Sequence, residues 1–210
     1  MPRIAPTFHV WGIGTARTMR VYWALHELGL DYVSHPVRAR TADMDDPAFL
    51  RVSPGRKIPA FRDGELSLTE SGAITDYLFE QFGAQATGPN DAAHIEKWSC
   101  FVLMELDATA LYVLRRHEDL PTIYGEAPAA VASARAYFGR QALVIAELLD
   151  DEREFIAAGR LSKADIFLST CCDWALHCRL ELPESLTAYH ARHPRRSAYL
   201  AARSANFPSR

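Results

Sequence analysis

Ser53-Pro54-Gly55-Arg56-Lys57-Ile58-Pro59-Ala60-Phe61, followed shortly by Leu68-Thr69-Glu70-Ser71-Gly72-Ala73-Ile74, decides the fold. Pro54-Gly55 marks a loop. Ile58-Pro59-Ala60-Phe61 is short and apolar, and a proline near its start suits a strand that leaves one backbone edge open. Asp63-Gly64 between apolar residues predicts a hairpin. Ser71 then precedes Ala73, Ile74, Tyr77, Leu78 and Phe82, which recur at helical spacing. The stretch reads as loop, hairpin and helix start in succession. An open strand edge beside a fresh helix N-terminus suits a peptide-like anion: the edge pairs with its amide, and the N–H groups at the helix start take its carboxylate.

Upstream, Phe8-His9-Val10-Trp11 predicts a short strand and Gly12-Ile13-Gly14-Thr15 a loop. Ala16 to Leu28 predicts a helix whose apolar residues are Met19, Val21, Tyr22, Ala24, Leu25 and Leu28, with Gly29 ending it. Asp31 to Val37 predicts a second strand, with Pro36 favouring an edge. Arg38 to Asp46 reads as a polar loop, and Pro47 to Arg51 as one helical turn. The first 83 residues thus read β-α-β, loop, β-β-α, which suits a small mixed sheet with helices packed on it. Downstream, Gly83 to Asn90 reads as a linker. Ala92 to His117 predicts one long helix, Pro128 to Leu149 another, and Ala164 to Cys178 a strongly apolar third. Pro183 to His193 and Pro194 to Ala202 are shorter helical segments. Ser162-Lys163-Ala164-Asp165 has the form of a capping box, with Asp where Glu or Gln is usual. The expectation is an α/β thioredoxin-like N-terminal domain over residues 1–83 and an all-α domain over 91–210.

Composition narrows the function classes. The chain has 210 residues, 49% of them hydrophobic, and a formal net charge of −3. That balance gives no reason to expect nucleic acid or an anionic membrane surface as a partner. No apolar run approaches the ~20 residues that span a bilayer, and the N-terminus lacks the apolar region of a signal peptide. A soluble, cytoplasmic protein is expected. Cys100, Cys171, Cys172 and Cys178 form no C-x-x-C and none precedes residue 100. They read as reduced thiols, mostly buried. A thioredoxin-type redox cysteine near the first strand–helix turn is therefore missing. His190 and His193 stand at i, i+3 spacing without an evident third ligand, so no metal site is expected.

The run from Ser53 to Phe61, with Thr69-Glu70-Ser71, resembles the glutathione-binding half of the soluble glutathione S-transferases. In that family the pattern is roughly N-P-x-G-K-V/I-P, then a hairpin, then E-S at a helix start. Here Ser53 stands where Asn is usual, and Arg56 intervenes between Gly55 and Lys57. The Ser162-x-x-Asp165-Ile166 box resembles the capping motif of the family's helical domain, with Gly159 three residues before the serine rather than four. The resemblance covers nearly the whole chain and implies a bacterial, Ser/Thr-type enzyme. It would conjugate the glutathione thiolate to a hydrophobic electrophile as a homodimer.

The same resemblance implies site residues. Arg20-Val21 matches the R-V of the family's first helix, and the catalytic hydroxyl of the Ser-type classes lies five residues before that arginine. Here that position is Thr15. Thr15 also reads as a plain helix N-cap, and Trp11, Arg17 and Thr18 are alternative donors. Ser71 would hold the γ-glutamyl carboxylate with Glu70 supporting its ammonium, and Ile58 would pair with the cysteinyl amide. Pro59 would be cis, a form taken by only ~5–6% of X–Pro bonds. Lys57 would approach the glycyl carboxylate, and Arg17 is a further anion contact. Trp11, Met104, Leu111 and Tyr112 would line the electrophile pocket, a set that reads equally well as core or dimer interface. A free thiol titrates near ~8.5, and lowering it by about two units requires about 2.7 kcal/mol. One hydrogen bond to a charged group supplies ~1.5–3 kcal/mol, so a single hydroxyl donor suffices. Two rivals stand beside conjugation. One is a non-catalytic ligand-binding or assembly module of this fold. The other is a specialised glutathione-dependent peroxidase, isomerase or dehalogenase.

Overall fold

The computed structural model describes residues 8–84 and 88–208. Part of the expected linker, residues 85–87, lies outside them. Four strands form one sheet in the order β2-β1-β3-β4, with β1 Phe8–Ile13, β2 Tyr32–Arg38, β3 Ala60–Asp63 and β4 Leu66–Thr69. β1 runs parallel to β2 and antiparallel to β3, and β3 runs antiparallel to β4. Phe8, Val10, Trp11 and Ile13 are all buried, as a central strand covered on both faces requires. The hairpin turn is Gly64-Glu65 rather than Asp63-Gly64, because Asp63 still pairs with Leu66. Gly64 takes φ +55° there, the left-handed first position that a tight two-residue turn needs.

Between β1 and β2 runs α1, Ala16–Glu27. The segment expected as loop after β2 contains a 3₁₀ turn, Ala42–Asp45, capped by the Thr41 hydroxyl. Then come α2, Pro47–Val52, capped by Asp46, and, after the hairpin, α3, Ser71–Phe82. Trp11, Val37, Phe49, Val52 and Ala60 form a buried cluster with Met44 and Ile58 against it.

The later helices are α4 Pro89–Phe101, α5 Tyr112–Leu114, α6 Pro121–Tyr124, α7 Pro128–Leu149, α8 Lys163–His177, α9 Glu184–His190 and α10 Ser197–Asn206. The expected single helix over 92–117 differs in two ways. It starts at Pro89, a residue suited to a first helical turn. It then widens into π-helix over Val102–Leu111 and Arg115–Asp119, with α5 between them. Among the described residues, no helix is long and apolar enough to cross a membrane.

The chain divides into two units, Met1–Gln85 with Arg195–Arg210, and Ala86–Pro194. The sequence reading carried the helical domain to residue 210. The last helix instead belongs to the first unit, because α10 lies against α1. There Trp23 meets Tyr199 edge-to-face at 5.1 Å, and Arg196 forms a salt bridge with Glu27. Met19 through Leu25 are buried without a break. A helix buried all round must be covered on more than its sheet side, and α10 supplies that cover.

In the second unit α8 is the innermost helix, with every residue from Lys163 to Cys172 buried. Its N-terminus carries the expected box. Ser162 N–H and Oγ both donate to Asp165 Oδ2, at 2.8 and 2.7 Å. Asp165 Oδ1 accepts Ile156 N–H at 2.8 Å and the Tyr189 hydroxyl at 2.5 Å. Burial pushes the Asp165 carboxyl up, against these four hydrogen bonds, which hold it down.

Candidate functional site

The sheet register gathers three loops at one end. Trp11 pairs with Ala60, and Ala60 pairs with Thr69, so these residues form one row across β1, β3 and β4. β1 leaves this row toward Gly12–Thr15, β3 enters it from Ile58-Pro59, and β4 leaves it toward Glu70-Ser71. This is the carboxyl end of the central strand, where open α/β sheets bind ligands. Gly12 brings two of the loops into contact. It takes φ +113°, and a Cβ there would stand 2.5 Å from Ile58 Cβ and 3.0 Å from Thr18 Cγ2. Only glycine fits.

Thr15 is the N-cap of α1, with extended backbone at φ −131°, ψ 159°. Its Oγ1 accepts Thr18 N–H, and its own N–H donates to Thr18 Oγ1, both at 3.0 Å. The two hydroxyl oxygens lie 2.9 Å apart. Thr15 is half-buried and Thr18 fully buried. Accepting an N–H leaves the Thr15 hydroxyl proton available to a ligand, so cap and donor are compatible roles.

On the second loop the Ile58–Pro59 peptide is cis, as the resemblance implies. Ser53, fully buried, ties this loop down: its Oγ accepts Lys57 N–H at 3.0 Å and donates to Lys57 C=O at 2.8 Å. Serine at the position where the family has Asn therefore still clamps the turn. Arg56, the additional residue, takes φ +51° and pairs with Asp45 at 2.6 Å. The Lys57 side chain is exposed and Ile58 half-buried.

At the third loop Glu70 takes φ +68° as the N-cap of α3 and is exposed, while Ser71 is buried. Arg20 Nη1 donates to Ser71 Oγ at 3.3 Å from a buried position on α1. Ser71 Oγ thus accepts from a cation and keeps its own proton for an anion. The first backbone N–H groups of α3 have no acceptor within the helix and point the same way.

Thr15, Ile58, Pro59, Glu70 and Ser71 are therefore carried by three loops at one end of the sheet. Arg17, half-buried, sits on the first turn of α1. Of the residues expected around an electrophile, Trp11 lies in the first unit and Met104, Leu111 and Tyr112 in the second. Trp11 is buried and stacks on His35 at 4.4 Å. Leu111 is fully buried in the second unit, Tyr112 is half-buried and Met104 is 58% exposed. One residue that the sequence reading did not single out reaches the first loop: Asn206, the last residue of α10, bonds to Gly14, Thr15 and Thr18. Nothing local to Asn206 signals this, since its partners lie about 190 residues away. Among the described residues, no group of three or more His, Cys, Asp or Glu could hold a metal ion.

A four-stranded thioredoxin-like sheet with this loop set, accompanied by a mostly helical unit, defines a class of two-unit protein. Residues 16–87 match the family model described as glutathione S-transferase, N-terminal domain. A glutathione S-transferase-like protein of Aspergillus aculeatus is 33% identical over 163 residues, covering 72% of each chain. The glutathione S-transferase-like protein gedE of Aspergillus terreus is 34% identical over 108 residues, 48% of this chain and 46% of that one. The match thus spans less than half of the latter protein's length. The chain belongs to the glutathione S-transferase family. A glutathione transferase from Pseudomonas putida, solved with one glutathione disulfide per subunit, superposes with a TM-score of 0.84 at 22% identity, over 99% of this chain and 94% of that one.

Proposed function

We propose that this protein is a glutathione transferase in which Thr15 stabilises the glutathione thiolate. The observation that carries the reading is the convergence of a hydroxyl-bearing cap, a cis-proline loop and a buried Ser71 on Arg20 at one end of the sheet. Glutathione would lie along the row end, its cysteinyl amide on the Ile58 backbone and its γ-glutamyl carboxylate on Ser71 and the α3 N-terminus. Glu70 faces the γ-glutamyl ammonium, with Lys57 and Arg17 near the remaining carboxylate charge. The thiol loses its proton to solvent, and Thr15 donates a hydrogen bond to the sulfur that remains. The sulfur lone pair then forms a bond to an electrophilic carbon. The leaving group departs with its electron pair, or in an addition the far atom takes a proton from solvent. The electrophile is hydrophobic, and Met104 and Tyr112 have surface to offer it. We assign the chain to a homodimer. All four cysteines are free thiols, which supports a reducing compartment such as the cytoplasm.

The test is an ultraviolet titration of bound glutathione in the wild type and in Thr15→Val. The wild-type thiol is expected to titrate about two units below the free value, and the valine variant to lose that shift. A thiol with the free value in both proteins would make the chain a carrier. A shift that survives in the variant would move the donor to another group.

A further inference from the structure

The Asn206 side chain makes three hydrogen bonds to the Gly14–Thr18 loop. Its side-chain Oδ1 accepts Gly14 N–H at 3.1 Å and the Thr18 hydroxyl at 2.6 Å. Its Nδ2 donates to Thr15 C=O at 3.0 Å. Its backbone C=O also accepts Gly14 N–H, at 2.8 Å. The amide orientation follows from chemistry, since an N–H can only meet the oxygen and a C=O only the nitrogen. The residue is fully buried, and an amide in that position is retained at a cost unless its bonds are made.

A count of protons shows what this does. The Thr18 hydroxyl has one proton and three acceptors in reach: Asn206 Oδ1 at 2.6 Å, Thr15 C=O at 2.9 Å and Thr15 Oγ1 at 2.9 Å. Asn206 offers the shortest bond. It also occupies Thr15 C=O with its own N–H, beside the Met19 N–H that the same carbonyl accepts at 3.0 Å. With the Thr18 proton committed to Asn206, Thr15 keeps its own proton, and at 2.9 Å Thr18 Oγ1 stands as an acceptor for it until a ligand sulfur takes its place.

We propose that Asn206 is a positioning residue for Thr15: by holding Gly14, Thr15 and Thr18 from α10, it fixes the turn that carries the Thr15 hydroxyl. This inference rests on the reading of Thr15 as the thiolate donor. In an Asn206→Leu protein the Gly14–Thr15 backbone and the Thr18 hydroxyl lose their clamp, and the Thr15 hydroxyl is no longer held in one place.

The experiment is the same thiolate titration on Asn206→Leu and, separately, Thr18→Val, with glutathione affinity measured alongside. Asn206→Leu is expected to raise the bound thiol pKa by about one unit, a tenfold change in the ionisation constant. Glutathione affinity measured below the thiol pKa should change less than about threefold, because Ile58 and Ser71 are untouched. Thr18→Val is expected to raise the pKa similarly, and the double variant to show no further rise. Thr18→Val leaves α10 intact, so it decides the matter if Asn206→Leu does not fold. A wild-type thiol pKa in either single variant, alongside its loss in Thr15→Val, overturns this inference alone. A purely structural role for Asn206 would weaken affinity and leave the pKa in place, which also overturns it. A wild type with the free thiol value overturns both this inference and the Thr15 reading.

Discussion

Two capping boxes of the same form sit in the two units, and they spend their protons differently. At the start of α8, Ser162 gives both its N–H and its hydroxyl proton to Asp165, which also takes Ile156 N–H and the Tyr189 hydroxyl. Every group is buried and every donor is used. At the start of α1, Thr15 faces Thr18, a neutral hydroxyl rather than a carboxylate. A hydroxyl partner can accept the cap's N–H without demanding its proton. The motif alone thus does not separate a structural pin from a poised donor. The boxes differ in the residue at the third helical position: Asp165 takes both the N–H and the hydroxyl proton of its cap, whereas Thr18 takes the N–H of its cap and carries a proton of its own.

The sharpest way to break this contrast is to remove the acceptor. Asp165→Ala leaves four buried donors without their partner and is expected to destabilise by about 4 kcal/mol or more, read by urea unfolding. A loss below about 2 kcal/mol would mean that the α8 box is no pin. Gly12→Ala comes next, at about 2–3 kcal/mol, since the new Cβ meets Ile58 in a left-handed backbone. It should also weaken glutathione binding, measured by calorimetry; unchanged affinity would separate Gly12 from the site. Thr15→Ala, which removes the cap of α1, is expected to cost only about 1 kcal/mol. A cost as large as that of Asp165→Ala would erase the distinction between the boxes.

The smallest effect concerns His9 and His35, whose ring nitrogens approach to 3.0 Å on the sheet. Burial and then Arg62 lower the His9 pKa; burial, His9 and Arg62 lower that of His35, against Asp46, which raises it. The unfolded chain therefore binds more protons near pH 6, and stability present above about 6.5 falls as pH falls below it. His35→Gln should flatten that dependence in thermal melts between pH 7 and 5. An unchanged slope would remove the pair from the account.

Much of the fold is legible because it is local. The strand–turn–helix order, the helix ends at Gly29 and Phe82 and the Ser162–Asp165 box all follow from neighbouring residues. The hairpin slipped by one residue because Asp63-Gly64 is a strong turn dipeptide, yet the ladder extends through Asp63 to Leu66. The π-helical widening after Phe101 has no signature in the apolar spacing, which suits an α-helix equally well. The assignment of α10 was missed for a different reason. Its hydrophobic spacing announces a helix, but not which surface that helix covers. The signal lay in α1, where Met19 through Leu25 carry too much apolar and aromatic surface for a helix lying on a sheet with its other side in water. The loops at the sheet end were readable in sequence because backbone turns have local signatures. Asn206 was not, because a tertiary hydrogen bond leaves no trace in the residues beside it.

The position of α10 has a consequence for synthesis. Ser197 follows the end of α3 by about 115 residues, which at ~5–20 residues per second is a delay of roughly 6–23 s. During that interval the residues of the sheet, α1 and α3 have been synthesised while Trp23 has no Tyr199 and Thr18 no Asn206. Of the two units, the one whose synthesis begins first is thus completed second, and until then the apolar α1 surface that α10 covers has no cover from it.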